Sequence, residues 1–98
     1  MTRMHWRLNT DGAAEPCTPL EWAEFFASPD RFVADERAED GSWRVCTIFE
    51  GLVDGNGRPR YFTAWFVDGK RIDELATYTR EEALQAHEEA LRVVRPAQ

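Results

Sequence analysis

Two dense apolar runs, residues 45–53 (VCTIFEGLV) and 61–67 (YFTAWFV), flank the turn-rich segment DGNGRPR, and no other feature constrains the fold as strongly. Each run alternates with a period of two, the spacing of a β-strand. In the first, Trp43, Val45, Thr47 and Phe49 fall on one side, with Cys46 and Ile48 on the other. In the second, Tyr61, Thr63, Trp65 and Val67 oppose Phe62, Ala64 and Phe66. Both sides are therefore apolar. An antiparallel hairpin with one wet face alternates apolar with polar, so these strands need a cover on each side.

Leaving several aromatics in water, at roughly 25 cal/mol per Å² of apolar area, would forfeit a sizeable part of a small domain's stability. One cover is expected from the chain's own helices. The other is expected from a second copy, because symmetric dimers dominate soluble oligomers. Trp43, Phe49, Tyr61 and Trp65 are the interface candidates. The alternative places the first and last helices on opposite faces of the sheet.

The rest of the chain supplies those helices and the outer strands. Met4, Trp6 and Leu8 alternate with His5 and Arg7 as a short strand, which Thr10-Asp11-Gly12 ends. Thr18, Pro19 and Glu21 form a capping box with proline at the first helical position, so a helix begins at Pro19, with Trp22, Ala23, Phe25 and Phe26 on its inner side. Ser28-Pro29-Asp30 stops it. Residues 31–38 read as a charged edge strand. Asp68-Gly69 is a favoured two-residue hairpin turn, which would set Trp65 opposite Ile72, whereas a longer turn would shift that register. A third arm at 72–78 lies toward an edge. Thr79 with Glu82 caps a second helix from Arg80 to about Val94, whose seam is Ala83, Leu84, His87, Ala90, Leu91 and Val94, and Pro96 lies past its end. The expected fold is one α+β domain over residues 1–98, an antiparallel sheet of about four or five strands with two helices, in the order β-α-β-β-β-β-α.

Composition narrows the function. At 98 residues the chain can bury a single core, and 43% apolar with 31% charged residues is a globular balance rather than a disordered one. A net charge of -6 argues against nucleic acid as the partner, since that affinity comes from Lys and Arg on phosphates. The acids are interleaved with arginine, unlike an acidic mimic of nucleic acid. No apolar run is long enough to cross a bilayer, and MTRMHWRLNT lacks the apolar middle of a secretory signal, so a cytoplasmic protein with reduced thiols and no membrane partner is expected.

Chemistry-bearing residues are sparse. His87 falls in the apolar seam, where a satisfied core histidine is the expected reading. His5, Cys17, Cys46 and His87 have no paired spacing for zinc, so neither metal nor other cofactor is expected. Cys46 with His87 is the nucleophilic pair a hydrolase would need, but no orienting third group accompanies it, and no catalytic residue is assigned. Asp54-Gly55-Asn56-Gly57 lacks the later ligands of a calcium loop. Arg58 and Arg60 beside Tyr61, with Arg92, are the residues available for an anion.

Beyond these readings, TIFEGLVDGN, YFTAWFVDG and YTREEALQAHEEAL together resemble a family of small uncharacterised proteins encoded by tailed bacteriophages and prophages. The matching positions are Thr47, Ile48, Phe49, Gly51, Leu52 and Asp54, then Phe62, Thr63 and Phe66, then Tyr78, Thr79, Glu82, Ala83 and His87. The likeness spans about residues 17–92. The family carries His after the strand-end Asp, where this chain has Gly55, so no role for that His transfers. The resemblance implies a phage or prophage accessory protein and supplies no activity. The expected function is non-enzymatic binding by a homodimer, with a host protein as target in antagonism of a host defence. Alternatives are sequestration of a small anionic signalling nucleotide, or a place in the virion or its assembly.

Overall fold

Both helices start where local hydrogen bonding sets them. In the computed structural model, which describes residues 5–53 and 57–95, Thr18 Oγ1 accepts from the Glu21 amide at 3.1 Å and the Glu21 carboxylate accepts from the Thr18 amide at 2.9 Å. Helix α1 (Pro19–Ala27) follows. The Ser28 hydroxyl ends it by donating to the Phe25 carbonyl at 2.7 Å and accepting from the Asp30 amide, which turns the chain through one 3₁₀ turn at Pro29–Arg31. Thr79 and Glu82 repeat the capping box at the head of α2 (Arg80–Val94).

The strands are β1 (Trp6–Leu8), β2 (Ala14–Pro16), β3 (Phe32–Arg37), β4 (Trp43–Val53), β5 (Pro59–Val67) and β6 (Lys70–Thr77). The last four form an antiparallel sheet in sequence order, while β1 and β2 form a small hairpin of their own. The architecture is the α+β one expected from the sequence, with the short β2 added. That strand pairs with β1 along an ion pair, Arg7 to Glu15 at 3.0 Å, and His5 bridges Leu52 beside the end of β4. Met4, Asp54, Gly55, Asn56 and Pro96, which figured in the sequence reading, lie outside the described residues.

Asp68 and Gly69 make the two-residue turn, both at positive φ, and pair Val67 with Lys70. The expected pairing of Trp65 with Ile72 does not follow. A bulge after Arg71 takes up Ile72 and sets Trp65 against Asp73. A second irregularity interrupts β4 between Phe49 and Val53, where Gly51 sits at φ +76°. A Cβ there would collide with the Trp6 carbonyl oxygen and lie 2.8 Å from Trp22 Nε1, which itself donates to the Glu50 carbonyl at 2.8 Å. Only glycine fits.

Helix α2 covers one sheet face. Its small residues Ala83, Ala86 and Ala90 let it seat closely, with Leu91, over Val45, Phe49 and Tyr61, all buried. Phe25 of α1 joins this layer, edge-on to Phe49 at 6.0 Å, and Phe49 meets Tyr61 edge-on at 4.9 Å. Trp43 and Trp65 pack against the cluster of Val45, Ala90 and Leu91. The four aromatics expected at a subunit interface, Trp43, Phe49, Tyr61 and Trp65, thus lie under the chain's own helix. Large rings on small helical residues fill the interior first. Among the described residues no helix is long and apolar enough to cross a membrane.

Candidate functional site

Among the described residues no helix lies across the middle of the other sheet face. Strand alternation puts Cys46 and Ile48 of β4 and Phe62, Ala64 and Phe66 of β5 on it, each half-buried, and cross-strand pairing aligns Ile48 with Phe62 and Cys46 with Ala64. At one end stands a wall from α1, Trp22 stacked on Phe26 with centroids 5.1 Å apart. The wall is fixed because the same indole is bonded to Glu50. Trp22, Phe26, Cys46, Ile48, Phe62 and Ala64 line a concavity of about 530 Å³. The arrangement is not the one with the first and last helices on opposite faces, since α1 flanks this face without lying over it.

Charge frames the apolar strip. On the β3–β4 side Arg44 holds Asp35 through two bonds of 3.0 and 3.1 Å, and Arg37 approaches the same carboxylate at 3.7 Å. Toward the loop end Arg60 meets Glu50 at 3.0 Å, and on β6 Arg71 meets Glu74 at 3.4 Å. Several guanidiniums also lie over rings: Arg60 over Phe62 at 5.1 Å, and Arg31 over Phe32 and Phe26 at 4.8 and 5.2 Å. The Arg60–Glu50 pair is incompletely satisfied, for Arg60 Nε and Glu50 Oε2 are shielded from water and have no hydrogen-bond partner among the described residues. Burial is the main cause that pushes the Cys46 thiol above its ordinary range, with Arg44 pulling partly the other way.

The residues weighed for other chemistry are not brought together. Arg58 lies over the Tyr78 ring at 4.7 Å, Arg60 belongs to the open face, and Arg92 is exposed in the last turn of α2. Helical rise alone separates the two ends of α2 by about 18–21 Å, so Arg58, Arg60 and Arg92 make no single anion site. Cys46 and His87 are on opposite faces of the sheet and are no nucleophile and base pair. Among the described residues no group of three His, Cys, Asp or Glu is placed to hold a metal ion.

His87 instead closes a buried polar chain on the α2 side. Thr63 Oγ1 meets Thr47 Oγ1 at 2.8 Å, Thr47 Oγ1 meets His87 Nδ1 at 2.9 Å, and His87 Nε2 meets Glu36 Oε1 at 3.1 Å. Arg95 donates to the other Glu36 oxygen at 3.0 Å. A proton on Nε2 satisfies every link: Nε2–H donates to Glu36, Thr47 donates to Nδ1, and Thr63 donates to Thr47. Hydroxyl, imidazole and carboxylate in a row have the sequence of a nucleophile, base and orienting group. Here the row is interior, because Thr47, Thr63 and His87 are at most 1% exposed. No substrate atom reaches Thr47 in this fold, and the row holds α2 to β3, β4 and β5.

The sequence contained the signals for both features. Neither is assigned a role by the sequence alone: the alternation sets Cys46, Ile48 and Phe62 opposite the expected interface residues, and Thr47 and Thr63, the polar positions of the other register, fall on a side read as apolar. No protein-family model, no curated protein and no solved structure matches the chain.

Proposed function

We propose that the chain is a small non-enzymatic accessory protein of a tailed phage or prophage, that it works by binding in the cytoplasm of the bacterial host, and that the open sheet face is its working surface. One observation carries the reading: an apolar strip on the sheet, left uncovered by the two described helices and framed by salt-bridged arginines. That is the anatomy of an interface, apolar at the centre and polar at the rim. Uncovered apolar surface of this kind on a small protein calls for an occupant. The burial of Thr47 and His87 favours binding over catalysis, since this row of nucleophile-like groups has no access. Antagonism of a host defence is the role we assign to that binding, because small accessory proteins of this class act by binding; the resemblance itself supplies no activity.

Plating a defence-sensitive phage on a defended host that expresses the chain tests this. Expression is expected to raise plating, Phe62→Glu and Ile48→Glu to abolish the rise, and Thr47→Val to preserve it in proportion to the folded protein present. If Thr47→Val abolished protection at normal protein levels while both face variants kept it, the binding reading would be wrong.

A further inference from the structure

We infer that the open face is occupied by a second copy of this chain, packed sheet to sheet about a two-fold axis. The inference rests on the reading of that face as a binding surface and adds the identity of what binds there.

Charge is the first reason. The chain carries a net charge of -6, so two copies repel over most approaches. The outer side of α2, for example, exposes Glu81, Glu82, Glu88 and Glu89. The open face is the exception, with Arg37, Arg44, Arg60 and Arg71 set against Asp35, Glu50 and Glu74. Copies meeting there meet on nearly neutral ground.

Geometry is the second. The edges are poor docking sites: β3 carries Asp35, Glu36 and Arg37, and β6 carries Lys70, Arg71, Asp73 and Glu74 with a bulge beside them. The face, by contrast, is four strands wide and about seven residues long where β4 and β5 pair, which at roughly 4.8 Å between strands and 3.3 Å per residue is about 450 Å² in plan. The Trp22–Phe26 wall enlarges it. Two such faces bury close to the roughly 1,000 Å² that a specific interface needs, which fits a reversible dimer rather than an obligate one. Single-stranded nucleic acid, the other occupant that stacks on sheet aromatics, needs unpaired positive charge, whereas these four arginines are each held to a carboxylate.

Sedimentation velocity over a micromolar concentration series tests the inference. The wild type is expected to move from one-chain to two-chain mass as concentration rises. Phe62→Glu and Ile48→Glu are expected to hold one-chain mass throughout, with unchanged far-ultraviolet circular dichroism. Cys46 provides a native reporter on the same face: its reaction with a thiol reagent should slow in the wild type as concentration rises, while buried Cys17 stays unreactive. That measurement needs no variant to fold. One-chain mass for the wild type at every concentration, or two-chain mass retained by both Glu variants, overturns the inference. If the wild type is single but a mixed-sequence single-stranded oligonucleotide protects Cys46, the second copy is refuted and the face keeps its binding role. If it is single and the Glu variants also keep the plating effect, both readings fall.

Discussion

Thr47→Val is the most informative perturbation of this fold, because it keeps the side-chain shape and removes one oxygen. That oxygen holds Thr63 at 2.8 Å and His87 Nδ1 at 2.9 Å, out of contact with water. Its loss strands two polar groups at about 1–3 kcal/mol each, offset by about 1 kcal/mol for the methyl gained. A net destabilisation of about 2–3 kcal/mol is expected, against a total of about 5–15 kcal/mol for a chain of this length. His87→Leu should cost a similar amount. In the double variant the stranded imidazole is gone, so the two losses should overlap by about 1–2 kcal/mol. Urea unfolding followed by tryptophan fluorescence measures all three, with unchanged slopes against denaturant as the control for a common unfolded state. Thermal midpoints should fall by on the order of 10–20 °C for Thr47→Val. A neutral Thr47→Val, or losses that simply add in the double variant, would refute the buried chain as a coupled unit.

Three further outcomes follow from other parts of the structure. Gly51→Ala forces a Cβ against the Trp6 carbonyl and the Trp22 indole at positive φ, and should cost about 3–5 kcal/mol in the same urea assay; a loss below about 1 kcal/mol would mean that the β4 bulge relaxes freely. Burial raises the Tyr61 phenol above its ordinary 10.0, with Arg80 opposing, so the folded state holds that proton longer than the unfolded one. Stability tied to Tyr61 is therefore intact below pH 10 and declines as pH rises through the folded value, and thermal midpoints from pH 8 to 11 should lose this alkaline slope in Tyr61→Phe. Thr79→Ala removes the acceptor for the Glu82 amide and should cost about 1 kcal/mol by thermal melting, a change that an unstrained water replacement would erase.

How much of this was legible in the sequence depended on the range of the interaction. The capping boxes were readable because Thr18 with Glu21, and Thr79 with Glu82, satisfy one another within three residues. The Asp68-Gly69 turn was readable for the same reason, since two residues fix its φ angles. Beyond the turn local information ran out: a bulge at Ile72, which no residue of the turn specifies, moved the partner of Trp65 from Ile72 to Asp73. Strand β2 was missed because Ala14-Glu15-Pro16 is too short to show a period and is held by distant partners, the Cys17 amide on the His5 carbonyl at 3.0 Å among them. For the site, alternation separated the two faces correctly but did not say which one the helix takes. Ring size did not separate the faces, since Phe49, Tyr61, Trp43 and Trp65 pack on the α2 side while Trp22 and Phe26 line the open one.

The choice of face has its own physical cause, and it lies in three polar residues. Both faces of the β4–β5 hairpin are apolar enough to receive the seam of α2, so hydrophobic burial alone discriminates weakly between them. His87 sits in the middle of that seam, and a buried imidazole needs a partner at each nitrogen. Over Cys46, Ile48 and Phe62 it would find no hydroxyl. Over Thr47 and Thr63 it finds one 2.9 Å away, and the same placement brings Nε2 within 3.1 Å of Glu36. Seating the helix on the other side would bury the imidazole without a hydroxyl partner, whereas Thr47 and Thr63 would simply turn to water. The polar row selects the covered face, and by that selection it leaves Ile48, Phe62 and Cys46 outside, on the surface where a partner can reach them.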